Sequence, residues 1–188
     1  MTVQDGTEAE WLRAEHETWQ ILRRKPGYVT HHIYQGARDR AERLVYSEWE
    51  SKKALDGARQ FLQGTPLARR TRFALPKRLV VELVGPVTST KGLDLPETAV
   101  AMTTVAQLLA PTPGAPEQHP KLAKLLASES GHLTQVMFRG FDDPSLVGVF
   151  SHWQDLPTLE HAIASLNSLE PADLPQALVH TPYEPLRT

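Results

Sequence analysis

Apolar positions along this chain fall into two rhythms, one suited to helices and one to strands. Within residues 8–25, Trp11, Leu12, Trp19 and Leu22 are spaced to share one buried stripe, which predicts an amphipathic helix stopped by Pro26-Gly27. Residues 28–35 and 44–49 are rich in β-branched and aromatic side chains, and the intervening Gly-Ala-Arg-Asp-Arg supplies a turn, so the two runs read as a hairpin. Ser51 is placed to cap a second helix. Its Ala54, Leu55, Ala58, Phe61 and Leu62 fall at i, i+1, i+4, i+7 and i+8. A short helical turn is expected from Thr65-Pro66, and a strand over residues 78–84. The succession then returns: a strand over residues 99–109, a helix over 117–128, a second hairpin, and a helix capped by Asp155. That last helix carries Leu159, Ala162, Ile163 and Leu166, and a closing strand is expected over residues 176–183.

The return is a repeat in the residues themselves. Gly27 to Trp49 and Gly131 to Trp153 are intervals of equal length and align without a gap. Thr30 meets Thr134, Gly36 meets Gly140, Asp39 meets Asp143, Val45 meets Val149 and Ser47 meets Ser151. The register continues into the next helix, where Leu55, Ala58 and Leu62 meet Leu159, Ala162 and Leu166. The second copy reads β-α-β-β-α-β, the split βαβ or ferredoxin-like arrangement. The expected fold class is therefore α+β, with two ferredoxin-like repeats, residues 1–90 and 95–188. A sheet with helices on one face leaves the other uncovered, so the two are expected to pack as a pseudo-dimeric α+β barrel within one chain. Such a chain could also pair again into a homodimer.

The first copy departs from the pattern at its start. Its opening strand would largely precede Met1, and MTVQDG is short and poor in strand formers. A missing central strand would leave backbone groups unpaired. Three explanations stand open: a truncated or misassigned start, another strand of the chain in the gap, or a first sheet that closes differently.

Composition narrows the function classes. The chain has 188 residues and no cysteine, which excludes disulfides, thiolate metal sites and cysteine nucleophiles. No apolar run approaches a membrane span, and the N-terminus lacks the basic and apolar regions of a signal peptide, so a cytoplasmic protein is expected. A net charge of −2 argues against a nucleic-acid partner. Lys and Arg minus Asp and Glu give 15 − 11 = +4 over residues 1–90 and 5 − 11 = −6 over residues 91–188, so the halves have drifted to opposite sign.

Eight histidines are the obvious polar resource. His31 and His32 are neighbours on a strand and must point to opposite faces, so they cannot meet at one metal. Alternation puts His32 with Thr30 and Tyr34, and His31 with Val29 and Ile33. His32 and Tyr34 are the candidate catalytic pair. Trp49, His152, Trp153 and His161 are candidates for lining a ligand site, the tryptophans as flat aromatic walls. Core packing is the competing role for both tryptophans. No HExxH or HxH pattern appears, and no metal site is expected. The basic run over residues 69–78 and the proline-rich stretch over 111–120 read as an exposed face and an irregular loop.

Pro26-Gly27-Tyr28, a strand, and then Tyr46-Ser47-Glu48-Trp49 leading into a capped helix with Ala54 resemble the antibiotic biosynthesis monooxygenase family of dimeric α+β barrels. The resemblance covers residues 8–85 well and 97–183 more loosely. It implies a small-molecule ligand in a cavity between the sheet and the helices of each unit, and an oxidation by O₂ that needs no cofactor, acting on a small aromatic or polyketide-like substrate. A non-enzymatic binding or assembly protein on the same scaffold is the alternative. Haem-degrading relatives carry an alanine-histidine pair after the second helix. Here that stretch reads Gly64-Thr65-Pro66-Leu67-Ala68-Arg69-Arg70, with arginine where the ligand would stand.

Overall fold

The computed structural model describes residues 3, 6–65, 79–84, 90–107, 118–168 and 179–186. The helical turn expected after Thr65, the basic run up to residue 78 and residues 111–117 of the proline-rich stretch lie outside the described residues, while residues 118–120 of that stretch open a helix instead of continuing the loop. The chain divides into two units, residues 1–77 with 186–188, and residues 78–185.

In the first unit, helix α1 (Glu8–Leu22) buries Trp11, Ala14, Trp19 and Leu22, the expected stripe with Ala14 in place of Leu12. Strands β1 (Tyr28–Gly36) and β2 (Arg43–Trp49) form an antiparallel hairpin. Helix α2 (Lys52–Gln63) starts where Ser51 accepts a hydrogen bond from the Ala54 amide, satisfying one of the free donors of the first turn. Ahead of α1, the amide of the buried Val3 donates to the Ala41 carbonyl at 2.8 Å.

The second unit holds strands β3 (Val81–Val84), β4 (Val100–Gln107), β5 (His132–Gly140), β6 (Leu146–Trp153) and β7 (Val179–Pro185), with helices α3 (Gln118–Ser128) and α4 (Leu156–Asn167). Its strand order is β7-β4-β6-β5-β3, antiparallel at every pairing. Strands β7, β4, β6 and β5 with the two helices make the ferredoxin-like arrangement. Strand β3 adds to the outer edge of β5. The core on the helix side is tightly closed at its centre, where Met102, Leu126, Val149, Trp153, Leu159, Ala162 and Leu166 have no exposed surface. Asp155 caps α4 and shares a capping box with Thr158.

The repeat is written into local geometry as well as into residue identities. Gly27 and Gly131 have φ of +79° and +80°, where an L side chain is strained. A Cβ at Gly27 would lie 2.5 Å from the Ala54 Cβ, and one at Gly131 would lie 2.6 Å from that of Thr158. In each copy this close approach sets a helix start against the head of the first hairpin strand. The carbonyls of Gly27 and Gly131 accept from the Glu50 and Gln154 amides at 2.7 and 2.8 Å. Each tryptophan that ends a hairpin donates its indole N–H to the serine two residues earlier: Trp49 to Ser47 at 3.2 Å, Trp153 to Ser151 at 2.9 Å. Asp39 and Asp143 each accept from the amide two residues on and so shape the hairpin turn.

Candidate functional site

The β1–β2 hairpin places the chemistry of the first unit on two faces. Cross-strand pairing sets His32 opposite Tyr46, Thr30 opposite Glu48 and Tyr34 opposite Leu44. Directly opposed residues in an antiparallel pair share a face. His32, Tyr34, Tyr46 and Glu48 therefore form one polar cluster. The His32 ring lies 6.1 Å from that of Tyr34 and 6.3 Å from that of Tyr46, inclined at 30° to the latter. The Tyr46 hydroxyl donates to Glu48 Oε1 at 2.8 Å. Glu48 and Tyr34 are buried, at 7% and 2% exposure, while His32 and Tyr46 stay partly open. Burial lowers the pKa of His32, and the Glu48 carboxylate opposes part of that shift. Burial, assisted by the negative charge of Glu48, pushes the Tyr34 phenol well above its ordinary range. At neutral pH the cluster thus offers a neutral imidazole able to take a proton, next to the Tyr34 phenol, which stays protonated.

The opposite face looks toward the helices. Trp19, Leu22 and Ala58 are buried there, and Tyr28, Ile33, Val45, Trp49 and Leu62 pack on them while only partly covered. His31 joins this face, stacked on Trp19 with ring centres 4.4 Å apart. Simple alternation puts His31 with Val29, but a bulge between Tyr28 and Thr30 brings Tyr28 to it instead. The Tyr28 hydroxyl and His31 Nδ1 are 2.6 Å apart. Burial, with the nearby charges of His32, Arg23 and His16, lowers the His31 pKa to about 4, so the ring is neutral at pH 7 and Nδ1 accepts from the phenol.

The structure brings the candidate pair His32 and Tyr34 together and adds Tyr46 and Glu48. Trp49 stands on the other face of the same hairpin, edge-on to Tyr28 at 5.6 Å. His152 and Trp153 belong to the second unit. Trp153 is wholly enclosed in its core, and His152, on the reverse face, is buried with its ring edge-on to Phe150 at 5.0 Å. His161 is exposed on α4. Sequence reasoning missed Glu48 and Tyr46 because their two-residue spacing shows a shared face without showing what lies across the hairpin. Among the described residues, no group of three or more His, Asp or Glu side chains converges as a metal site, and no helix is long and apolar enough to cross a membrane.

Residues 1–61 match the family model for antibiotic biosynthesis monooxygenase. That match is confined to the first repeat and leaves the rest of the chain unmatched. Solved structures of similar fold include a proposed monooxygenase from Fusobacterium nucleatum subsp. nucleatum ATCC 25586, with a TM-score of 0.69, 11% identity, and 99% of this chain and 89% of that one covered. An anthrone oxidase-like protein follows at a TM-score of 0.64, 14% identity, and 98% and 89% coverage. A proposed monooxygenase from Lactobacillus acidophilus NCFM matches at 0.61, 12% identity, and 98% and 90% coverage. No curated protein matches the chain in sequence.

Proposed function

We propose that the protein is a cofactor-independent monooxygenase acting on a small hydroxylated aromatic or polyketide-like molecule, with His32 as the proton acceptor. One observation carries the reading: a neutral, partly open imidazole lies 6.1 and 6.3 Å from two tyrosine rings, one of them hydrogen-bonded to a buried carboxylate. His32 would remove an acidic C–H or O–H proton from the substrate, and Glu48 favours the imidazolium that results. Tyr34 and Tyr46 supply hydroxyls for the substrate's oxygens, and the electron-rich anion then reacts with O₂. For an anthrone, the ring methylene loses both hydrogens and gains one oxygen as a carbonyl, while the second oxygen leaves as water.

The test is oxygen uptake with dithranol, a hydroxyanthrone, corrected for its spontaneous oxidation. His32→Gln is expected to lower kcat by about 10²-fold or more, the usual contribution of a positioned base. Tyr34→Phe is expected to lower it less. Unchanged turnover in both variants would remove the cluster from the mechanism.

A further inference from the structure

We infer that the two repeats have divided their roles, so that each chain takes one hydroxylated aromatic ligand, held by the first repeat alone. The inference rests on the polar cluster being a ligand site, as proposed above. At the equivalent positions of the second repeat, His32, Tyr34, Tyr46 and Glu48 become Val136, Phe138, Phe150 and His152. The frame holding them is unchanged. His32 faces Tyr46 and Val136 faces Phe150; Thr30 faces Glu48 and Thr134 faces His152; both hairpins bulge at the same place. Three of four polar positions have lost the hydroxyl or imidazole that would meet a ligand's oxygens, and the carboxylate has become an imidazole.

Access has changed along with chemistry. His32 and Tyr46 are partly open, whereas Val136 and Phe150 are each 1% exposed. A glycine makes the difference concrete. Tyr34 is opposed by Leu44, but its counterpart Phe138 is opposed by Gly148 and lies down on it, such that a Cβ at Gly148 would meet Phe138 Cζ at 2.3 Å. On the helix side the pattern repeats: Val149 and Trp153 are fully enclosed, while Val45 and Trp49 keep exposed surface. A ligand could enter the second repeat only by displacing close-packed core.

The probe is 1,8-dihydroxyanthraquinone, a stable flat molecule bearing hydroxyls, titrated calorimetrically into the full chain. One equivalent per chain is expected. The double variant His32→Val, Tyr46→Phe writes the second repeat's residue types into the first and is expected to weaken binding at least tenfold. Glu48→Gln, closer in shape, is the second variant, and circular dichroism identifies which variants are folded. Two equivalents, no binding, or one equivalent kept at full affinity in a folded variant would each overturn the inference. One equivalent that is lost in the variants, with no oxygen uptake on dithranol, would uphold the division of roles and discard the monooxygenase reading.

Discussion

Replacing His31 by glutamine should make the protein less sensitive to acid. In the folded chain the imidazole accepts from the Tyr28 hydroxyl, lies flat on Trp19, and has Arg23, His16 and His32 as charged or titratable neighbours. Burial, then the charges of His32, Arg23 and His16, oppose a second proton on the ring, and protonation would also remove the acceptor that Tyr28 uses. The pKa falls from 6.5 to about 4. Because the folded value lies below the unfolded one, the unfolded chain binds the proton more tightly. Above pH 6.5 the residue has no effect on stability; as pH falls from 6.5 toward 4, stability is lost, and below that the loss is complete. The gap corresponds to about 3.4 kcal/mol at its limit. The ring is only partly buried, so solvent screening leaves about 1–2 kcal/mol. The assay is urea unfolding at pH 7.5 and 4.5 for the natural chain and His31→Gln. His32 and His132, whose pKa values are also lowered, contribute to both and cancel in the comparison. The natural chain should lose about 1–2 kcal/mol more than the variant, roughly 0.5–1 M in urea midpoint. Equal losses would refute the reasoning.

Two further predictions follow from the geometry. Gly131→Ala puts a Cβ at φ +80° against the Thr158 side chain, which the capping box holds in place; a loss of about 2–4 kcal/mol is expected in denaturant unfolding, and a loss under 1 kcal/mol would mean that the loop simply moves. If His32 is the base, turnover should fall as pH drops through a value below 6.5, and Glu48→Gln should move that limb of the pH–rate profile to lower pH, because it removes the opposing charge.

Much of this was legible in the sequence, and the unread part has a physical reason. Strand and helix positions follow from the spacing of apolar residues, which is why β1, β2, α2 and the capped α4 lie where the pattern puts them. The ferredoxin-like order of the second repeat follows from element order alone. The bulge after Tyr28 was not legible, since one extra residue breaks the two-residue alternation and no local signal marks it. Glu48 reads as an ordinary surface carboxylate until its strand is placed in register, because burial depends on what covers a face. The partner of β3 is likewise a long-range choice that residues 81–84 do not carry themselves.

The position of that short strand bears on how the chain can be divided. By sequence order β3 closes the first repeat, yet its four residues pair with β5 and extend the sheet of the second unit, Val81 opposite Gly140 through Val84 opposite Met137. A gene cut at the midpoint of the repeat would carry β3 away with the wrong half. The remaining half would present the bare β5 amides and carbonyls of Met137 to Gly140, an edge open to pairing with other chains. Fragments meant to remain soluble should therefore be cut ahead of residue 78, so that the second fragment keeps the strand that covers its edge.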